Sequence, residues 1–299
     1  MKSTEKEFYS RIAKKYPELS TKKKRVANFI LKDYKKLSLM TAKELALKCQ
    51  VSEPTIIRFS VNLGFSGYLE LTRHVKSMIQ MEQSSVDRLL NAPGKSHEKT
   101  TLESYCDNAL DNFEKLKASV SKEELLSIAQ AVYSARNIYV VGYRASAVAA
   151  NYFGYFLKKI RENVTIDTTL SWEVHDSIAQ NYENSIAFAI GFRRYPRKLI
   201  EFLEYAKKNN VQIIGLTDNL ISPIINLSDQ YTVIELNGIS FVDPIGHVMT
   251  YLSALLHEIT LIDTKKALES LGKFEEYAKN QHEFFSGDSV PSWVPSLKL

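Results

Sequence analysis

The hydrophobic period changes once along this chain, and no other feature constrains its fold as strongly. Between residues 21 and 80, apolar side chains recur at helical spacing in four runs, 21–36, 41–48, 52–63 and 66–80, each opened by a Ser or Thr suited to capping a helix. After residue 137, short β-branched runs at 138–141, 164–166, 185–190, 212–216 and 231–234 alternate with helical runs at 145–161, 172–180, 196–209 and 223–227. Strands separated by helices cannot close as hairpins. The crossovers between them require a parallel sheet with helices on both faces. Further helical runs at 102–117 and 121–135 precede the first strand, and others at 244–261 and 264–285 follow the last.

These patterns divide the chain into an all-α domain over 1–80, a linker over 81–101, a doubly wound α/β domain with a parallel five-stranded sheet over 102–285, and a tail over 286–299. The linker is expected where periodicity fades into Gln83-Ser84-Ser85 and turn formers gather around Pro93-Gly94. At 299 residues the chain has length for two cores of ordinary size. No run of about 18 apolar residues occurs, and the first residues are charged, so a cytoplasmic protein without a membrane partner is expected. Cys49 and Cys106 fall in different expected domains with no His or Cys at metal-ligand spacing, and both read as small apolar residues; no metal or cofactor is implied.

Charge is distributed as unevenly as the period. Residues 1–80 hold 17 Lys and Arg against 7 Asp and Glu, a balance of +10, while the remainder holds 22 against 27. One module is thus suited to approach a polyanion, and the other is an ordinary, slightly acidic globule.

Within the basic module, Thr41 and Glu44 have the spacing of a capping box, which starts a short helix. Cys49-Gln50-Val51 makes a tight connection, and Ser52 is placed to cap a second helix whose first turn tolerates Pro54. Leu45, Cys49, Val51, Ile56 and Phe59 supply the seam of a two-helix corner, and small Ala46 lets the helices cross closely. This is a helix-turn-helix pattern. It leaves Ser52, Pro54, Thr55 and Arg58 near the outer face of the second helix, where recognition helices meet base edges, and Lys43 joins them as a candidate DNA contact. The guanidinium of Arg58 suits guanine or phosphate oxygens. Gln50 stands where such a turn favours Gly, at a cost of about 1 kcal/mol if φ is positive.

The run Met40-Thr41-Ala42-Lys43-Glu44-Leu45-Ala46, then Val51-Ser52-Glu53-Pro54-Thr55-Ile56-Ile57-Arg58-Phe59, then Leu63-Gly64-Phe65-Ser66-Gly67-Tyr68 resembles the N-terminal domain of the RpiR family of bacterial regulators. The resemblance implies a homodimer or homotetramer that binds palindromic operators in double-stranded DNA and answers to a sugar-phosphate-like effector.

In the second module, Val140-Val141-Gly142-Tyr143-Arg144-Ala145-Ser146 is a strand entering a Gly turn and then a helix, a geometry in which backbone N–H groups hold an anion. It resembles the first loop of the sugar isomerase (SIS) domain, Gly-x-Gly-x-Ser, with Arg144 in place of the second Gly. Where that domain has a hydroxyl-rich second loop, this chain reads Gly191-Phe192-Arg193-Arg194-Tyr195-Pro196. The third loop, Leu216-Thr217-Asp218-Asn219-Leu220-Ile221-Ser222-Pro223, keeps the family's pattern. Candidate ligand contacts are therefore Gly142, Arg144, Ser146, Arg193, Arg194, Thr217 and Ser222, for a small anionic metabolite such as a sugar phosphate. The alternative for Arg193 and Arg194 is ion pairing at a subunit interface.

A sugar-phosphate isomerase, or a sugar-phosphate-binding protein without a DNA role, are the competing classes. Isomerisation needs a positioned general base, and His175, His247, His257 and Glu258 form no recognisable catalytic motif. No catalytic residue is assigned.

Overall fold

The computed structural model describes residues 3–94, 99–169, 171–180 and 183–284; the expected tail at 286–299 and the side chain of His175 lie outside the described residues. The N-terminal module consists of α1 (Ser3–Lys15), α2 (Thr21–Lys32), α3 (Ala42–Cys49), α4 (Glu53–Asn62) and α5 (Tyr68–Glu82). Phe8, Ile12, Val26, Ile30, Leu45, Ile56, Phe59, Leu71 and Val75 pack into its core. Sequence periodicity left α1 unassigned and carried α2 to residue 36. The helix ends earlier because Asp33 is extended at φ −163°, and a 3-10 turn, Tyr34–Leu39, buries Tyr34 and Leu37. Tyr34 then donates its hydroxyl to Glu82 Oε1 at 3.0 Å, fastening the end of α5.

Local chemistry sets the corner between α3 and α4. Thr41 and Glu44 form the expected capping box, with reciprocal bonds of 3.2 and 2.7 Å. The helix ends with Gln50 N–H donating to Leu47 O and Val51 N–H to Ala46 O, the paired bonds of a Schellman motif. That motif places Gln50 at φ 53°, ψ 50°. The next helix ends in the same motif with Gly64 at φ 86°, where no Cβ has to be accommodated.

The expected linker contains a helix. Residues Ser84 and Asp87 form a second capping box that starts α6 (Ser85–Leu90), a short helix that the fading periodicity of 81–101 did not indicate. Helices α7 (Thr101–Ser119) and α8 (Lys122–Ser134) follow. Five parallel strands come next, β1 (Asn137–Val141), β2 (Val164–Asp167), β3 (Ser185–Ile190), β4 (Gln212–Thr217) and β5 (Gln230–Val233), in the order β2-β1-β3-β4-β5. Their crossovers include α9 (Ala147–Ile160), α10 (Trp172–Gln180) and α11 (Arg197–Lys208), and the chain continues through α12 (Gly246–Ile262) and α13 (Thr264–Asn280). Residues 223–227, expected as a helix, form turns instead; five residues are too few to offset helix nucleation, and Ser222 Oγ accepts from Ile224 N–H at 3.3 Å.

Alternation along the strands divides the α/β core into two layers. Ile138, Val140, Ile186, Phe188 and Ile214 face α8, α9 and α12, whereas Tyr139, Val141, Ala187, Ala189 and Ile213 face α10 and α11. All six residues of β3 are buried, as befits the central strand of a sheet covered on both sides. Ile221, from the loop after β4, packs on the core of the N-terminal module and joins the two halves.

Candidate functional site

The strand order reverses direction between β1 and β3, since β1 leads outward to β2 and β3 leads the other way to β4 and β5. At such a switch point the loops leaving the two strands diverge and open a crevice at the carboxyl edge. A cleft of about 640 Å³ lies there, within the usual range for small-molecule sites. Its walls include Tyr143–Ser146 after β1, Phe192–Arg194 and Pro196 after β3, and Ser85, Arg88, Phe241 and Asp243 from elsewhere in the chain.

Gly142 starts the first loop. A Cβ there would lie 2.8 Å from Ala150 Cβ and 2.9 Å from Ser146 O, so only Gly allows the turn to fold back on α9. Tyr143 is buried and donates its hydroxyl to Asp167 Oδ2 at 2.9 Å; burial, then the Asp167 charge, raise its pKa far above the ordinary phenol range. Arg144 is exposed and adopts φ 58°, retaining the left-handed backbone of a Gly with a large side chain in its place. Ser146 is buried, and its Oγ accepts from Phe192 N–H at 3.4 Å, which ties the first loop to the second.

The two arginines of the second loop have different surroundings. The Arg193 side chain is 6% exposed, lies 3.7 Å from Asp243 Oδ1 and donates to Leu236 O. Burial draws its pKa down and the nearby Arg88 adds to this, while Asp218 and Asp243 oppose it. Arg194 instead reaches across the cleft to Ser85 Oγ, at 3.0 Å. In the third loop, Thr217 Oγ1 donates to Ser222 Oγ at 2.7 Å, both residues are buried, and neither lines the cleft. Tyr195 donates to Asp218 Oδ1 at 2.6 Å beside them. Thus the structure brings Arg144, Ser146, Arg193 and Arg194 to one cleft, whereas Gly142, Thr217 and Ser222 shape the loops behind it.

The sequence reading missed Arg88, Ser85, Phe241 and Asp243. A capping-box spacing at Ser84–Asp87 marked the helix that carries the first two, but no local pattern marks the contribution of 236–245. Of the nominated bases, His247 is buried with Nε2 2.9 Å from Glu235 O, and burial lowers its pKa. His257 is exposed on α12, and neither it nor Glu258 lines the cleft. Among the described residues, no group of His, Cys, Asp or Glu is placed to hold a metal.

On the helix-turn-helix corner, Lys43, Ser52, Pro54 and Arg58 are exposed. Thr55 is not. It is 6% exposed, and its hydroxyl lies 2.9 Å from Ser52 Oγ, correcting the expectations that Thr55 faces outward and that the Ser52 side chain caps the helix backbone. Thr55 shares the buried side of α4 with Ile56, Phe59 and Ser60, whereas Ser52, Glu53 and Pro54 before it remain exposed.

A basic helix-turn-helix module carrying a doubly wound domain with a switch-point cleft defines the class of two-module regulators. The helix-turn-helix domain of the rpiR family matches residues 6–82, and the SIS domain matches residues 131–257. The chain belongs to the RpiR family of helix-turn-helix transcriptional regulators. The HTH-type transcriptional regulator HexR of Pseudomonas aeruginosa is 24% identical over 217 residues, 71% of this chain and 73% of that protein. An uncharacterized HTH-type transcriptional regulator of Caldanaerobacter subterraneus is 24% identical over 206 residues, 69% and 72% of the two chains. In fold, the chain is similar to the Vibrio vulnificus NanR protein complexed with ManNAc-6P, with a TM-score of 0.55, 19% identity, and coverage of 92% of this chain and 98% of that one. The sugar isomerase domain of an RpiR transcription factor from Sphaerobacter thermophilus aligns at a TM-score of 0.57 and 21% identity, covering 60% and 99%. No helix among the described residues is long and apolar enough to cross a membrane.

Proposed function

We propose that this chain is a cytoplasmic, homodimeric or homotetrameric regulator in which residues 1–80 bind a palindromic operator and the α/β domain binds a phosphorylated sugar that changes operator affinity. One observation carries the effector reading: four arginines, Arg88, Arg144, Arg193 and Arg194, line the switch-point cleft against the single acidic side chain of Asp243. Such a surplus of guanidinium favours a ligand bearing a phosphate, through charge-assisted bonds. The ManNAc-6P in the similar NanR structure supports the same class. The +10 balance and the exposed Lys43, Ser52, Pro54 and Arg58 support the DNA reading.

Calorimetry of the full chain against hexose phosphates and their unphosphorylated parents tests the effector. Binding should require the phosphate. Fluorescence anisotropy with duplex fragments selected from the host genome tests the DNA, and affinity should fall steeply with salt and change when the phosphosugar is added. Equal binding of phosphorylated and free sugars, or no DNA binding at low salt, overturns the corresponding half. The isomerase alternative is tested in the same panel: turnover of any aldose or ketose phosphate would establish it.

A further inference from the structure

Helix α6 lies between the two matched family segments, and its Arg88 makes the densest set of long-range polar contacts in the cleft. Arg88 Nε donates to Ser240 O at 3.1 Å and Nη2 to Val242 O at 3.2 Å, while Nη2 also lies 2.8 Å from Asp243 Oδ1. Arg193 Nη2 approaches that same oxygen at 3.7 Å. The two arginine side chains are only 12% and 6% exposed, and they share Asp243, whose side chain is 18% exposed. The shared oxygen is an ion-pair partner without a directed hydrogen bond, and buried Arg193 Nε has no hydrogen-bond partner. Two cations thus converge on one poorly aligned anion, beside the further guanidinium groups of Arg144 and Arg194.

We propose that Asp243 is a built-in substitute for the ligand's phosphate, and that Arg88 is a ligand-contact residue which the incoming phosphate takes over, with Arg193, from Asp243. This rests on the phosphosugar reading above. A phosphate offers several acceptor oxygens that can align with both guanidinium groups, which a single off-line carboxylate oxygen does not. Asp243 keeps the arginines gathered and the cleft pre-formed in the ligand-free protein; the ligand exchanges the weaker anion for the stronger. The exchange acts on the DNA-facing module because α6 begins three residues after α5 ends, and α5 buries Leu71, Val75 and Met78 in that module's core. Val86, Leu89 and Leu90 on α6 are exposed, so Arg88 and the Ser85–Arg194 bond are its principal attachments to the α/β domain.

The test uses full-length protein and two probes, inorganic phosphate and the hexose phosphates of the panel. Asp243→Asn should bind phosphate about tenfold more tightly by calorimetry, since a competing charge has been removed, and Arg88→Gln about tenfold more weakly. In the double variant the gain from Asp243→Asn should shrink, because the residues act on one another. A measurement on unaltered protein guards against misfolded variants: hydrogen exchange over residues 84–91 should slow when phosphate is added. If the wild type binds phosphate, yet neither substitution moves its affinity and exchange in 84–91 is unchanged, the Asp243 exchange is wrong and the phosphosugar reading stands. If the wild type binds neither probe at millimolar concentration, the phosphosugar reading fails and takes this inference with it.

Discussion

Arg194 Nη2 donates to Ser85 Oγ at 3.0 Å across a separation of 109 residues, joining the loop after the central strand to the helix that follows the DNA-facing module. The adjacent Arg193 makes no such bridge. Its guanidinium is buried against Leu236 O and Asp243. Neighbours in sequence therefore have different tasks, and single substitutions should separate them.

Arg193→Ala leaves the Leu236 carbonyl without its donor and removes one of two cations from Asp243, so it should cost about 1–3 kcal/mol of folding stability. Arg194→Ala breaks an exposed bond and should change stability by no more than about 0.5 kcal/mol, while weakening hexose phosphate binding. Thermal unfolding and calorimetry on the two variants check this. Equal melting temperatures would show that Arg193 is not structural.

Acid should destabilise the protein in two steps. Burial is the largest cause lowering the pKa of His74 and His247, so both are held neutral in the folded protein below the ordinary value of 6.5. The unfolded chain binds protons on them near pH 6.5 before the folded chain does, so stability is full above that pH and falls as pH drops toward the folded values. The carboxylates of Glu44, Glu70 and Glu103 are lowered by backbone hydrogen bonds at their helix starts, and their contribution is lost only below about the ordinary 4.5. His247→Gln keeps a donor near Glu235 O without titrating, and should flatten the melting temperature between pH 7 and 5. An unchanged slope in that variant would sink the assignment.

What could be read in advance was local. The Thr41–Glu44 box, Pro54 in the first turn and Gly64 at a helix end are each set by residues within a few positions, and the alternation of β-branched and helical runs dictates a parallel sheet. Thr55 was misread because its orientation depends on how the corner seats on the core, which spacing alone leaves open. The cleft was legible only in part: Arg144, Ser146, Arg193 and Arg194 follow strands, where open sheets place ligands, but Arg88 and Asp243 meet by tertiary packing across more than 150 residues. The Ser84–Asp87 box that starts α6 lay inside the expected linker, where the fading apolar period gave no sign of a helix.

The helix-turn-helix corner permits a parallel separation of contact from packing. Arg58 is exposed and should contribute through DNA alone: Arg58→Ala should cost about 1–3 kcal/mol of specific binding with an unaltered melting temperature. Buried Thr55 should behave oppositely, with Thr55→Val losing the bond to Ser52 and about 1 kcal/mol of stability. Anisotropy titration beside thermal unfolding distinguishes the two, and a Thr55→Val variant of wild-type stability with lost sequence discrimination would reinstate Thr55 as a base reader.

Gln50 and Arg144 both occupy the left-handed region, at φ 53° and 58°, but for different reasons. Gln50 closes the Schellman motif of α3, and Gly64 performs the same task for α4 without strain. Nothing in the cleft depends on its side chain. Gln50→Gly should therefore raise stability by about 0.5–1 kcal/mol, the left-handed penalty less the flexibility added to the unfolded chain, with DNA affinity unaltered. Arg144 carries the same penalty at the mouth of the cleft, where its exposed guanidinium faces the ligand space. Arg144→Gly should likewise stabilise the fold, but it should also weaken inorganic phosphate binding about tenfold, since one of four cations is removed from the site. Melting temperature and phosphate affinity should thus rise together in neither variant. A version of Arg144→Gly that gains stability and keeps full phosphate affinity would show that the side chain has no ligand role, and that the strained turn is retained for its backbone alone.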